Sequence, residues 1–167
     1  MLLDGVGSGE LADDAVAALS PRPAVRVRAD DFLRPAGERF EHGRDDAESL
    51  RTTWLDSDAL RREVLDIAPT GHYLPALRDA ARDRSARQSP QPLPAGAVLL
   101  VDGLFLLGRD LPAELTVHVA LSPAALLRRG VPEWQLPAFA AHDAGARSAC
   151  DVLVLAEDPR RPAVLLP

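Results

Sequence analysis

The segment Asp4-Gly5-Val6-Gly7-Ser8-Gly9-Glu10-Leu11 sets three glycines between an apolar run and a helical pattern. A glycine-rich turn at such a junction aims backbone amides and the positive end of a helix at an anion, so the chemistry it suits is phosphate binding. A working phosphate loop reads G-x-x-x-x-G-K-[ST], with the lysine on the phosphates and the hydroxyl on magnesium. Here Gly5 and Gly9 have only three residues between them, Glu10 stands in the lysine position and Leu11 in the hydroxyl position. A lysine about 4 Å from a phosphate charge contributes about 4 kcal/mol at an effective dielectric of about 20, and a glutamate there repels by a similar amount. Losing the hydroxyl also removes a ligand for the metal that neutralises a transferring phosphoryl group. Gly5, Gly7, Ser8, Gly9 and Glu10 therefore read as a degenerate phosphate loop, and ordinary use of ATP is not expected. On their own, the glycines equally suit a tight strand-to-helix turn that binds nothing.

Three more carboxylates sit where chemistry is done in open sheets. Asp30 follows the run Ala24–Val27, Asp102 follows Val98–Val101, and Asp58 opens a helical pattern. Carboxylates at the ends of parallel strands converge on the crevice above the sheet. Each also has a plain structural role: Asp30 and Asp102 can terminate strands, and Asp58 can cap its helix. His42, His72, His118 and His142 show no metal-ligand spacing, and His118 falls inside a strand. They read as structural or surface residues, with His72 beside Tyr73 the one to test as an acid or base. Trp54 and Trp134 suit a core or a pocket wall. Cys150 precedes the last strand and reads as buried and inert.

The elements that must position these residues follow from apolar patterning. Val98–Val101, Thr116–Leu121 and Val152–Leu155 read as buried parallel strands, with Met1–Leu3 and Ala24–Val27 as weaker candidates. Helical patterns cover Glu10–Leu19, Asp58–Ile67, Pro123–Arg129 and Trp134–Ala149. Ser57 or Asp58 can cap the second helix, and Ser122-Pro123 starts the third. Alternating strands and helices predict an α/β fold, a three-layer αβα sandwich on a parallel sheet of about five strands. Residues 84–96 (RSARQSPQPLPAG) predict a proline-rich surface loop within one domain spanning residues 1–167.

Composition narrows the classes. The net charge is −6 and all nineteen basic residues are arginine, so no lysine exists for a Schiff base or a phosphate loop. The acidic balance argues against general nucleic-acid binding, which needs a clustered basic face. No apolar run nears the roughly 20 residues of a membrane span. One cysteine gives no internal disulfide, and together with a start lacking the features of a signal peptide it points to the cytoplasm. The first strand opens at the initiating methionine, so either it is trimmed or the true start lies upstream.

Several segments, in order along nearly the whole chain, resemble the uridine kinases and their phosphoribulokinase relatives. Asp30-Asp31-Phe32-Leu33 resembles D-[DS]-F-[YH], and Asp58-Ala59-Leu60 ends a segment similar to D-x-x-x-D-A-[LF]. Tyr73-Leu74-Pro75 resembles Y-x-P, Val98–Gly103 resembles a Walker-B-like strand ending in [ED]-G, and Cys150-Asp151-Val152-Leu153 is similar to A-D-[VI]-[VI]. The resemblance implies a P-loop nucleoside-kinase fold in which Asp30 is the general base toward a nucleoside 5′-hydroxyl. It implies that Asp58 grips the ribose and that Asp102 organises magnesium if magnesium is bound. Arg34, His72, Tyr73, Arg82 and Arg84 are the further substrate-side candidates. The lid arginines reduce to Arg128 and Arg129, in a segment much shorter than the family's, and both also suit a solvated helix end. Leu77 and Arg78 replace the aromatic and aspartate the family favours after Y-x-P.

The expected function is a repurposed enzyme or binding protein that uses the acceptor pocket for a nucleoside-like molecule or another polyol, with no cofactor. The alternatives are a weak ATP- and magnesium-dependent nucleoside kinase and a non-catalytic pseudokinase subunit. A small molecule is the expected partner, nucleic acid and membrane are not, and a homo-oligomer is compatible with the pattern.

Overall fold

A computed structural model describes residues 1–158 and 161–166. Its central sheet orders the strands β10-β9-β8-β1-β7-β2. These are β1 (Leu2–Asp4), β2 (Ala24–Arg28), β7 (Val98–Gly103), β8 (Thr116–Ala120), β9 (Val152–Leu155) and β10 (Ala163–Leu165). The five strands expected from the sequence are parallel, and β10 adds an antiparallel edge that was not foreseen. Helix α1 (Ser8–Ala18) follows β1, α5 (Pro123–Arg128) follows β8, and α6 (Leu136–Ala149) precedes β9. The chain is an αβα sandwich in architecture, with only a 3-10 turn, Glu133–Gln135, between α5 and α6.

Alternation along the strands builds two cores. Leu2 and Val101 face Phe32, Leu60 and Val64 on one side, while Leu3 and Leu100 face Ala12 of α1 on the other. Side chains of a strand alternate between faces, so Asp4 lies on the Leu2 side, and it is fully buried. Strands covered on both faces are largely apolar, which is why β7 and β8 were legible as runs, with His118 a buried polar exception in β8.

Departures from expectation lie between β2 and β7. Two short helices, α2 (Ala36–Arg39) and α3 (Ala47–Thr52), form in a stretch too polar to show a helical period. Residues 84–96 are largely exposed but not a free loop. In them, β5 (Arg84–Ser85) pairs β4 (Arg78–Asp79), and β6 (Gln91–Pro92) pairs β3 (His72–Tyr73). The second predicted helix is α4 (Ser57–Leu60) running into a π-helical turn, Arg61–Leu65. Its cap is neither Ser57 nor Asp58: the Asp56 carboxylate accepts from the Ala59 amide at 3.0 Å. Asp56→Ala should therefore cost about 1 kcal/mol, whereas Asp58→Ala, at an exposed position, should stay within about 0.5 kcal/mol. Urea melts of the two variants check this. Ser122 does cap α5, accepting from the Ala125 amide.

Candidate functional site

The glycine loop leaves the C-terminal end of β1, whose connection runs to β2 on one side of the sheet, while that of its neighbour β8 runs to β9 on the other. This is the switch point where open α/β sheets bind ligands. Gly5 has φ 110°, and a β-carbon there would lie 2.4 Å from the Val119 carbonyl oxygen, so only glycine fits. Gly7, with φ 95°, precedes the first turn of α1. The loop is closed by Gly5 N–H donating to the Gly103 carbonyl at 2.9 Å and Ser8 N–H to Gly5 at 3.1 Å.

Charged side chains crowd this loop from both sides. Arg26 of β2 donates to both oxygens of Asp102, Nε at 2.6 Å and Nη2 at 2.8 Å, and its Nη1 reaches Asp13 of α1 at 2.5 Å. Its guanidinium lies so close to α1 that a β-carbon on Gly9 would meet Nη2 at 2.8 Å. The hydrogen bonds from Arg26 to Asp102, then to Asp13, outweigh burial and raise the Arg26 pKa. On the loop's other flank, the Arg129 guanidinium covers Gly7 and pairs Glu10 at 3.5 Å. Arg128 instead donates to the Glu157 carbonyl at 3.3 Å.

Beyond the end of β2 opens a cavity of about 1020 Å³. Its lining includes Asp30 and Asp31 from the 3-10 turn Ala29–Phe32, and Arg78, Arg82 and Arg84 from around the β4–β5 ribbon, which the Leu77 amide joins to the Asp31 carbonyl at 3.0 Å. Trp54 also lines it, braced edge-on by Phe40 at 5.3 Å and by Trp134 at 6.2 Å. Two buried donors bordering the cavity, Trp54 Nε1 and Arg78 Nε, have no hydrogen-bond partner among the described residues, although Arg78 Nε lies 3.8 Å from an Asp83 carboxylate oxygen. Burial raises the Asp31 carboxyl above its ordinary value; Arg28 opposes this, and Asp30, Asp102 and Asp79 add to it. Asp30 is exposed, with Arg28 at 3.7 Å.

A chain from Bacillus stearothermophilus described as a possible uridine kinase superposes on this one with a TM-score of 0.71. The match covers 91% of this chain and 84% of that one at 14% sequence identity. The fold is uridine kinase-like. No protein-family model and no curated protein matches the sequence. Among the described residues, no helix is long and apolar enough to cross a membrane.

In this uridine-kinase-like fold the substrate-side candidates divide. Asp30, Arg82 and Arg84 border the large cavity, and Asp79 ties the two arginines to the ribbon at 2.9 and 3.8 Å. Among the described residues Arg34, Asp58, His72 and Tyr73 do not border it. Arg34 pairs Glu38 at 3.3 Å and lies 3.9 Å from Asp56. Tyr73 packs on the Phe32 core, while His72 is exposed and near the Thr70 carbonyl. Cys150 is half-buried, its thiol pushed up by burial and 3.6 Å from the Arg147 carbonyl.

The sequence reading missed a second polar cluster. His118 Nδ1 lies 2.8 Å and His142 Nε2 2.6 Å from the same oxygen of Asp4, and the Leu106 amide donates to the other oxygen at 2.8 Å. His118 Nε2 lies 3.0 Å from Asp143, whose second oxygen accepts from Arg147 at 2.6 Å. Register explains the meeting, because Asp4 and His118 face each other on adjacent parallel strands. Two polar residues inside apolar strands were the available signal. Their pairing needed the strand order.

Proposed function

We propose that this uridine-kinase-like chain has lost the phosphate-donor half of the fold. It works as an enzyme or binding protein through the acceptor-side cavity on a nucleoside-like or other polyol small molecule. The observation that carries this reading is the two-point Arg26–Asp102 pair wedged against Gly9. A magnesium ion organised by Asp102 would have to displace a guanidinium held at 2.6 and 2.8 Å. It would do so beside a loop with neither the lysine nor the hydroxyl that a magnesium nucleotide needs.

The cavity supports the other half of the reading. Its volume suits a small-molecule ligand. Trp54 Nε1, and Arg78 Nε with only the Asp83 carboxylate at 3.8 Å, lack hydrogen bonds among the described residues and suit acceptor oxygens brought by that ligand. Asp30 and Asp31 are placed to accept from its hydroxyls, with Asp30 as the base in any proton abstraction. Neither magnesium nor ATP has a role in this reading. One observation favours a second reading as a weak kinase: Arg129 lies over Gly7, where an arginine can stand in for the missing lysine.

Calorimetry with uridine, cytidine and magnesium–ATP separates the readings. Nucleoside binding without ATP binding is the expected result, and Asp30→Ala should weaken or abolish whatever ATP-independent activity accompanies it. ATP binding with turnover favours the weak kinase. Silence toward every ligand would leave a non-catalytic partner subunit.

A further inference from the structure

We propose that Asp4, His118 and His142 form a binding site for a divalent transition metal of the zinc class, with a coordination position open to an adjoining cavity. The site lies on the opposite flank of the glycine loop from the acceptor cavity, and it stands or falls independently of the proposed function.

The donor set comes first. One carboxylate oxygen and two imidazole nitrogens lie within 4.8 Å of one another, and both rings point a nitrogen at the same Asp4 oxygen. Zinc binds imidazole nitrogen and carboxylate oxygen at about 2.0–2.2 Å, which puts tetrahedral ligand atoms about 3.3 Å apart. The present separations of 2.8 and 2.6 Å are shorter. Backing each ring away by about half an ångström opens the required space. Imidazole nitrogen selects zinc, cobalt, nickel or iron over magnesium and calcium, which want oxygen.

The surroundings complete a metal site's usual second layer. A metal-bound imidazole needs its other ring nitrogen to donate to an acceptor, which fixes the tautomer and orients the ring. Asp143 supplies that acceptor to His118 Nε2 at 3.0 Å, and Arg147 holds Asp143 in turn at 2.6 Å. Phe105 packs edge-on against His142 at 5.2 Å between ring centres and limits where that ring can go. All three ligand residues are nine-tenths or more buried at the side chain.

Access decides what kind of site it is. Structural zinc sites are closed by four protein ligands, whereas reactive ones carry three and keep a position for water or substrate. Here two of the three protein ligands, His118 and His142, border a cavity of about 280 Å³ together with Gly5, Phe105 and Asp143. His142 also borders a second cleft of about 350 Å³, which offers a way in.

The test is calorimetric titration of the full chain, stripped with chelator, with zinc chloride. Cobalt chloride absorption is recorded in parallel. One zinc per chain is expected, with a dissociation constant of about 1 µM or tighter, and with cobalt bands of low coordination number in the visible. His142→Ala should weaken zinc binding by about a hundredfold or more. Asp143→Ala, which leaves every direct ligand in place, should weaken it by about tenfold to a hundredfold. Asp143 is also the variant that stays informative if His142→Ala does not fold, because its carboxylate is partly exposed. Cys150→Ser and His42→Ala should change nothing. The proposal is overturned if no stoichiometric zinc binds, if both ligand-side variants bind as the parent does, or if Cys150→Ser removes the binding.

Discussion

Arg26→Ala should lower the free energy of unfolding by about 3 kcal/mol, one of the two largest losses expected of a single substitution in this chain. The expected size follows from what the arginine leaves behind. Asp102 is 6% exposed at the end of β7, and its carboxylate takes two hydrogen bonds from one guanidinium. Removing one partner of a buried pair strands the other charge, whose desolvation is then uncompensated. Asp13, the guanidinium's other contact, is mostly exposed, so Asp13→Ala should cost less than about 1 kcal/mol. Removing both partners together, as Arg26→Leu with Asp102→Leu, should recover most of the loss, because a buried pair is seldom better than apolar packing. Urea denaturation of the four proteins measures this. The same variant speaks to function: with Arg26 gone, Asp102 is free for a cation. Arg26→Ala combined with Glu10→Lys should then bind magnesium–ATP more tightly than Glu10→Lys alone. Equal affinities would mean that the arginine is not what excludes the nucleotide.

What could be read in the sequence, and what could not, divides by distance along the chain. β7, β8 and β9 were legible because strands covered on both sides are largely apolar, while the short β1 and the arginine-bearing β2 were the weaker candidates. α1 and α5 were legible because glycines or Ser122-Pro123 mark where they begin. The ordered segments from Gly5 to Leu153 carried the fold class, which the superposition bears out. Asp30 was correctly placed at the end of β2 because a strand end is a local feature.

The Arg26–Asp102 pair was not legible. Arg26 is one of nineteen arginines, and its partner lies 76 residues away. The alternation Val25-Arg26-Val27-Arg28 looks like an edge strand with two solvated arginines, whereas only Arg28 is exposed. The cap of α4 was missed for a smaller reason: Asp56, Ser57 and Asp58 are all good cap residues, and only backbone geometry chooses among them. His118 and His142 have no informative spacing because their common partner, Asp4, lies more than a hundred residues away.

That cluster carries the other large effect. Asp4→Ala should destabilise the metal-free protein by about 4 kcal/mol, because His118, His142 and the Leu106 amide would all lose their acceptor in the interior. The loss should depend on pH, with a sign set by two opposed titrations. Burial disfavours the Asp4 anion, yet the hydrogen bonds from His118 and His142, with the Leu106 amide, hold its carboxyl below the ordinary 3.8. Its stabilisation is therefore present above that value and lost as pH falls through the lowered one. Burial disfavours the His118 cation, yet Asp4 and Asp143 together hold it above the ordinary 6.5. Its stabilisation is complete below 6.5 and lost as pH rises through the raised value. The advantage of the parent over Asp4→Ala should thus be greatest between about pH 4 and 6.5 and shrink on either side. Asp143→Ala removes one of the two carboxylates facing His118, so it should lower the pH at which the alkaline loss begins. Paired urea melts across that range, with chelator present, test the assignment. A difference between parent and Asp4→Ala that stays flat with pH would mean that His118 is neutral throughout, and that Asp4 acts as an ordinary hydrogen-bond acceptor rather than as the counter-charge of an imidazolium.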